Sequence, residues 1–252
     1  MTTRDEILAE LGLTPVWLTR ERLGQTQTAA GLVPHDVPAE RAPPDNHLNV
    51  PDSLDAGPVK NVDWAQLRQA VAKCTACALH QRRKQAVFGV GDESADWLVV
   101  GEGPGAEEDA RGEPFVGQAG KLLDNMLTAI GLARGNNVYI ANVVKCRPPS
   151  NRTPALEEAE ACAAFLDRQI DLIQPRLIIA LGKVAARRML GRDTTLGSLR
   201  KTAHDYRGIP LVVTYHPAYL LRNLPDKAKA WEDLCFAVDT MSGLAGAQDS
   251  AR

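Results

Sequence analysis

Three polar residues of chemically useful types stand at or just after apolar runs of strand length. Glu102 follows the first such run, Asn142 ends the second, and His216 follows the fourth. A carboxylate can stabilise a developing positive charge or orient water, an amide can both donate and accept hydrogen bonds, and an imidazole can donate to an oxygen that becomes negative. This combination is typical of a site that binds a polar ligand and stabilises charge while a bond breaks.

These runs predict strands that alternate with helices. The predicted strands are 97–101, 138–142, 176–181 and 210–215, and the predicted helices are 118–131, 154–173, 182–190 and 226–241. Such alternation predicts an α/β fold, a three-layer α/β/α sandwich with a central four-stranded parallel sheet. Ligands of such sheets bind beyond the carboxyl ends of the strands. The residues expected to meet there are Gly101, Glu102, Gly103, Asn142, Lys183 and His216.

The loop after the first strand is rich in glycine and in acid. Gly101 and Gly103 have no Cβ atom to hold a ligand away from the backbone. Residues 101–106 match the G-x-G-x-x-G/A dinucleotide fingerprint, in which a helix N-terminus attracts pyrophosphate. The crowded carboxylates disfavour that interpretation, because they would repel a phosphate: Glu102, Glu107, Glu108 and Asp109. The loop suits water or a developing positive charge better.

Phe115, one of four phenylalanines in the chain, lies in the same loop. An aromatic residue in such a loop is usually part of the core, but it could instead stack on a planar ligand. Together with the amide of Asn142, a stacked aromatic ring would be a natural reader of a nucleobase edge.

Four of the five cysteines could share one metal site. Cys74 and Cys77 form a C-x-x-C pair, and Cys146 and Cys162 are sixteen residues apart. The second spacing is not that of a zinc ribbon, so the set is consistent with Cys₄ zinc, a [4Fe–4S] cluster or unrelated buried thiols. In either metal site the role is expected to be structural. Cys235 lies on the apolar face of the last predicted helix and is expected to be a core residue.

Composition and charge suggest three parts. Residues 1–60 carry five basic and nine acidic side chains, and they are expected to form a flexible acidic extension with a short amphipathic helix over 5–23 and a linker over 24–60. The folded domain is predicted at 61–243, and a disordered tail at 244–252. The N-terminus has no signal-peptide pattern, and no apolar run approaches the roughly 20 residues of a membrane span. We therefore expect a cytoplasmic protein with no membrane partner.

Five ordered motifs resemble the family 4 uracil-DNA glycosylases over about residues 70–240. The motifs are the loop 101–109, the segment 112–117 with Phe115, Asn142-Val-Val-Lys-Cys-Arg-Pro-Pro, His216-Pro-Ala-Tyr-Leu-Leu-Arg222, and the four cysteines. The resemblance implies that the protein flips uracil out of DNA and hydrolyses its N-glycosidic bond, leaving an abasic site for base excision repair. It implies a [4Fe–4S] cluster held by Cys74, Cys77, Cys146 and Cys162.

The resemblance also implies roles for the site residues. The residues that bind uracil would be Gly101, Gly103, Phe115, Asn142 and His216. Phe115 would stack on the flipped base, Asn142 would read the pyrimidine edge, and His216 would lie at the uracil O2. Glu102 would face the water or the sugar.

The resemblance places the DNA on the segment that follows His216. Pro217, Leu220, Leu221 and Arg222 would enter the duplex, with Leu220 or Leu221 filling the gap left by the base, and Arg147 and Lys183 would contact phosphates. Residues 147–154 contain no histidine, whereas a related group of uracil-binding proteins traps the sugar through a histidine in a loop inserted there. That difference favours turnover.

Two other interpretations remain open at this stage. One is a non-catalytic uracil-DNA-binding protein of the same fold, and the other is a small nucleotide-binding α/β protein that carries zinc. We expect uracil-containing DNA, single- or double-stranded, as the partner, a repair or replication protein on the N-terminal extension, and a monomer associated with a bacterial nucleoid.

Overall fold

A six-stranded sheet lies at the centre of the part of the chain that the computed structural model describes, residues 59–249. Side chains are described through Leu244. The strands are β1 Val90–Gly91, β2 Trp97–Gly101, β3 Val138–Asn142, β4 Leu177–Leu181, β5 His204–Tyr206 and β6 Ile209–Thr214. The helices are α1 Trp64–Lys73, α2 Ala106–Arg111, α3 Gln118–Ala129, α4 Leu156–Ile173, α5 Gly182–Leu190, α6 Leu196–Leu199, α7 Pro217–Leu220 and α8 Asp226–Asp249. Two 3₁₀ turns span Ala78–Gln81 and Pro149–Asn151.

The strand order is β1-β3-β2-β4-β6-β5. The four predicted strands form the parallel centre, and β1 and β5 add antiparallel pairs at the two edges. The prediction of a central four-stranded parallel sheet is therefore confirmed, and the sheet is larger than predicted by two antiparallel edge strands. Both added strands are too short for an alternating pattern to reveal them in the sequence, since they contain two and three residues.

Alternate residues of the central strands point to opposite faces of the sheet and pack into two separate hydrophobic cores. Leu98 and Val100 of β2 pack into one core with α1, α4 and α5, while Trp97 and Val99 pack into the other with α3, α7 and α8. Every residue of β2, β3 and β4 is buried, as expected for parallel strands that are covered on both faces. This confirms the three-layer α/β/α arrangement.

Capping fixes where α1 begins, and through α1 the position of the first cysteine pair. The Asp63 carboxylate accepts a hydrogen bond from the backbone N–H of Gln66 at 2.8 Å, and the Gln66 side chain accepts one from the backbone N–H of Asp63 at 3.1 Å. This reciprocal capping box satisfies two N–H groups that otherwise lack partners. Helix α1 then ends directly before Cys74.

The last helix is longer than the sequence predicted. Helix α8 continues to Asp249, so the prediction of a disordered tail from residue 244 is wrong for most of that tail. No proline interrupts residues 226–249, and alanines at 245 and 247 favour a helix. The predicted helix over 5–23 and the linker over 24–60 lie outside the described residues, apart from the last two. No helix within residues 59–249 is long and apolar enough to cross a membrane.

A buried ion pair fastens α8 to the sheet below His216. Asp233 is fully buried, and its Oδ2 accepts from Arg200 Nε at 2.7 Å and from the Thr214 hydroxyl at 2.8 Å. The guanidinium of Arg200 also lies 5.0 Å from the centre of the Tyr215 ring. The pair therefore holds the end of β6, two residues before His216.

We expect Asp233→Ala to lower the free energy of unfolding by about 3 kcal/mol, because it leaves the Arg200 charge buried without its partner. Urea unfolding followed by circular dichroism measures the change. Arg207→Ala is the matched control, since it breaks an exposed pair with Asp171 at 2.7 Å and should cost less than about 1 kcal/mol. Equal effects of the two substitutions would contradict a stabilising role for the buried pair.

Candidate active site

The carboxyl ends of the four parallel strands meet as the sequence predicts. Gly101 is the register partner of Asn142 across β2 and β3. A Cβ atom on Gly101 would overlap Asn142 Oδ1 and would lie 2.5 Å from Phe115 Cζ. His216 follows β6 and lies close to Gly182, the residue that follows β4. A Cβ atom on Gly182 would lie 3.0 Å from the Cβ atom of His216. The predicted residues Gly101, Phe115, Asn142 and His216 are therefore brought together at one edge.

The aromatic rings of Phe115 and His216 form the walls of this edge. Their centres are 5.5 Å apart, and their planes are inclined by 30°. Phe115 is 6% exposed, and its backbone is left-handed, with φ of 56°. The two rings contact each other, so a planar group could stack against an aromatic face but could not enter between them. We call the edge lined by Gly101, Phe115, Asn142 and His216 the slot.

His216 is held in one tautomer. Its Nδ1 accepts a hydrogen bond from the backbone N–H of Ala218 at 3.2 Å as the N-cap of α7, which leaves the proton of the neutral ring on Nε2. Burial lowers the pKa of His216 to about 4, the nearby Arg222 acts in the same direction, and Glu108 opposes it. At neutral pH the ring is therefore an uncharged hydrogen-bond donor.

Asn142 is buried, and its side-chain Oδ1 has no hydrogen-bond partner among the described residues. Its backbone carbonyl accepts from Lys145 Nζ at 2.9 Å, and the same ammonium donates to Gln169 Oε1 at 2.6 Å. Burial lowers the pKa of Lys145 to about 8. An unpaired buried acceptor is costly unless a ligand satisfies it, so the amide is set up to accept a hydrogen bond from a donor that enters the slot.

Glu102 follows β2 and is half-buried. Its backbone carbonyl accepts from the N–H of Val144 at 3.2 Å, which extends the pairing of β2 with β3 beyond the strands. Burial raises the pKa of its carboxyl above the ordinary value, and the neighbouring Thr153 hydroxyl lowers it by less. A raised carboxyl pKa beside a cleft is typical of functional carboxylates.

The other carboxylates of the acidic loop hold the loop together. Glu108 accepts from the backbone N–H groups of Gly105, Val116 and Gly117 at 3.0 to 3.1 Å, and the buried Asp109 accepts from the N–H of Lys84 at 2.8 Å. The N–H of Gly105, directly before α2, is thus already engaged by Glu108. A phosphate bound there would meet this carboxylate, which argues against nucleotide binding.

The predicted DNA-contacting residues separate into two groups. Pro217 and Leu220 are buried, and Leu220, 1% exposed, belongs to the core with α3 and α8. Leu220 is therefore wrong as a residue that enters a duplex, because the turn of α7 points it inward. Leu221 is 42% exposed, and Arg222 is exposed beside it. Exposed Lys183 pairs with Asp193 at 2.9 Å, and Arg147 Nε donates to Asn151 at 2.7 Å.

Cys74, Cys77, Cys146 and Cys162 line one cavity together with His80 and Arg83. Three N–H groups point at their sulfurs: Arg83 Nη1 lies 3.0 Å from Cys146, the backbone N–H of Lys145 lies 3.3 Å from Cys162, and that of Ala76 lies 3.5 Å from Cys74. All five cysteines are free thiols. Cys235 is half-buried on α8 and lies outside both the cavity and the two cores. The assignment of Cys235 to the core is therefore wrong.

Sequence reasoning missed three residues that shape the site. Glu108 occupies the third position of α2, where a capping glutamate is expected, so its spacing from Gly105 was a usable signal. Lys145 interrupts an apolar run, which hinted at a buried charge. Arg134 donates to the backbone carbonyls of Pro114 and Phe115 at 2.8 Å each, and nothing in the sequence near residue 134 indicates this contact.

Comparison with known proteins agrees with this geometry. Residues 88–235 match the sequence model of the uracil DNA glycosylase superfamily. The chain is 42% identical over 181 residues to a type-4 uracil-DNA glycosylase of Pyrobaculum aerophilum, covering 69% of this chain and 92% of that protein. It is 48% identical over 157 residues to a type-4 uracil-DNA glycosylase of Thermotoga maritima, covering 62% and 81%.

A type-5 uracil-DNA glycosylase of Thermus thermophilus is less similar, at 34% identity over 153 residues, covering 52% of this chain and 68% of that protein. The chain belongs to the uracil DNA glycosylase superfamily, as the sequence motifs predicted.

Proposed function

We propose that this protein is a uracil-DNA glycosylase, a hydrolase that extrudes uracil from DNA and cleaves its N-glycosidic bond to leave an abasic site for repair. The observation that carries the proposal is the slot formed by Gly101, Phe115, Asn142 and His216, with its unsatisfied Asn142 acceptor. Membership of the superfamily and the names of the relatives support it. Extrusion is required because the target atom of a base is out of reach inside a duplex.

Asn142 distinguishes uracil from cytosine in this proposal. Uracil presents an N3–H donor and an O4 acceptor, which match the Oδ1 acceptor and the amide N–H donors of Asn142. Cytosine presents the opposite pattern at both atoms. Because Asn142 is buried, a mismatched base would leave polar groups without partners, and discrimination by such sites is strong.

His216 and Glu102 act on the two charges that appear as the bond breaks. The bond between C1′ of the sugar and N1 of uracil breaks with its electron pair moving onto the base, and a water oxygen bonds to C1′. The neutral His216 donates from Nε2 to the uracil O2 as that oxygen becomes negative. The Glu102 carboxylate stabilises the positive sugar and orients the water. The proton that the water loses passes through solvent to the uracil anion, which is released as neutral uracil.

Leu221 and Arg222 are the residues best placed to contact the opened duplex. Exposed Leu221 follows directly after α7 and would fill the gap that the base leaves, and Arg222 would contact a phosphate. Lys183 and Arg147 would exchange their present partners, Asp193 and Asn151, for phosphates, so each contributes weakly and in a salt-dependent way.

A [4Fe–4S] cluster is the group that best fits the four cysteines. The four thiols line a common cavity, and N–H groups are directed at three of the sulfurs. Such hydrogen-bonded sulfurs suit the four-cysteine ligation of a [4Fe–4S] cluster. The sequence motifs that resemble the family 4 uracil-DNA glycosylases favour the cluster over zinc. Such a cluster would be structural, because its four cysteines lie directly after α1, on α4 and in the segment after β3.

The domain from residue 61 onward would carry the whole activity, and the acidic residues 1–60 would bind a repair or replication protein. We propose that the protein acts as a monomer.

The deciding assay for the function measures free uracil released from a uracil-containing oligonucleotide, with alkaline cleavage of the abasic site. We expect release by the wild type and a loss of about 100-fold or more in His216→Ala and Asn142→Ala, the usual effect of removing a donor aimed at developing charge.

We expect Asn142→Asp to raise the ratio of cytosine to uracil release by about tenfold, whereas Asn142→Ala should not. Binding of uracil-DNA without release would favour the non-catalytic alternative.

Glu102 should set the acid limb of the pH–rate profile. Its pKa is raised, and the charged form is the active one, so kcat/KM should fall as pH decreases through a pKa above 4.5. We expect Glu102→Gln to lower the plateau and to remove this limb down to about pH 4, where His216 becomes protonated. The folded protein binds the Glu102 proton more tightly than the unfolded chain does, so Glu102 destabilises the fold at neutral pH and Glu102→Gln should be slightly more stable. An unchanged limb in the variant would exclude Glu102 as its source.

The cluster is tested by colour and metal content. We expect the purified protein to be brown, with broad absorption near about 400 nm and iron in proportion to protein. Cys74→Ser should lose the absorption and much of the soluble yield, whereas Cys235→Ser, whose thiol lies outside the cavity, should keep both. A colourless wild type that contains zinc would overturn the assignment.

A further inference from the structure

Arg134 holds the backbone of the loop that carries Phe115. Its Nη1 donates to the Pro114 carbonyl and its Nη2 to the Phe115 carbonyl, both at 2.8 Å. Asp124 on α3 orients the guanidinium, accepting from Nε at 3.0 Å, and the side chain of Arg134 is only 22% exposed. The planar guanidinium thus donates hydrogen bonds to two successive backbone carbonyls. The compact ammonium group of a lysine lacks the rigid fork of donors that this geometry requires.

The gripped backbone is in a conformation that an aromatic residue rarely adopts. Phe115 has φ of 56°, in the left-handed region where the Cβ atom of a non-glycine residue crowds the backbone. Helix α3 comes so close to the Phe115 carbonyl that a Cβ atom on Gly120 would overlap it. The strained conformation is therefore maintained from two directions, by close packing on α3 and by hydrogen bonds from Arg134.

We propose that Arg134, oriented by Asp124, is a positioning residue that fixes the Phe115 ring in the plane in which it stacks on the extruded base. Asp124 and Arg134 lie outside the slot, so they act only through Phe115. This inference rests on the proposed function for the identity of the base. The left-handed backbone turns the ring toward Gly101 and His216, and an extended backbone at residue 115 would turn it away.

The arrangement predicts that Arg134 and Phe115 are energetically coupled. Release of uracil and binding of an oligonucleotide with an uncleavable 2′-fluoro-2′-deoxyuridine are measured for Arg134→Ala, Phe115→Ala and the double variant. We expect Arg134→Ala to weaken binding about tenfold, in the range of a lost base–aromatic stack, and to lower kcat/KM at least as much. In the Phe115→Ala background the same substitution should change either quantity by less than about twofold.

Two further variants separate positioning from general destabilisation. Arg207→Ala removes a comparable ion pair with Asp171, remote from the slot, and should leave binding and release unchanged. Asp124→Ala alters an exposed side chain, 47% accessible, and therefore folds even if Arg134→Ala does not. It should lower kcat/KM about threefold to fivefold, and again only while Phe115 is present. Equal losses from Arg134→Ala in both backgrounds would overturn the proposal.

A crystal structure of Arg134→Ala, or of Asp124→Ala if the former does not fold, tests the inference without any substrate. We expect residue 115 to leave the left-handed region and its ring to move from His216. A φ that stays near 56° with an unmoved ring contradicts the proposal even if uracil release is confirmed. Failure of the wild type to release uracil would instead count against the proposed function, and the backbone of residue 115 would still decide the role of Arg134.

Discussion

The parallel pairing of β2 with β3, in the register that sets Gly101 beside Asn142, is the interaction on which the site depends. The pairing continues past the strands, because the N–H groups of Val143 and Val144 donate to the carbonyls of Gly101 and Glu102. Slippage by one residue would turn the Asn142 side chain to the opposite face of the sheet. The buried alternation of Leu98 and Val100 against Trp97 and Val99 prevents that slippage, because each pair belongs to a different core.

Charged side chains near this edge stabilise the backbone as well as supplying groups for chemistry. Glu108 satisfies backbone amides of the loop, Asp109 satisfies the amide of Lys84, and Lys145 satisfies the backbone carbonyl of Asn142. Each of these groups would be costly to bury without a partner. Glu102 differs from them, since no charged partner among residues 59–249 counters the burial of its carboxyl and its pKa is raised. The carboxylate assigned to catalysis is therefore one whose charged form is destabilised by burial.

The sequence was sufficient for features that depend on local pattern and failed for those that depend on orientation. Long apolar runs identified the four parallel strands, and strand ends then identified Asn142 and His216. The edge strands β1 and β5 were missed because two or three residues carry no period. Leu220 and Leu221 have the same chemistry, and only the rotation of the four-residue helix α7 decides that Leu221 is exposed. The contact of Arg134 with Phe115 spans a helix and a turn, so no local rule could have found it.

The two halves of the site are fastened to the fold by different means. Asn142 is followed within four residues by Cys146 and is held by Lys145, so its position depends on the cysteine cavity that joins α1 to α4. His216 follows Thr214, which is held by Asp233 and Arg200 on the far side of the sheet centre. Under the proposed function, the residue that recognises the base and the residue that assists cleavage are thus held by separate parts of the fold. If the proposed roles hold, a change at the cysteine cavity should disturb the position of Asn142, and with it the choice of base, before it disturbs His216.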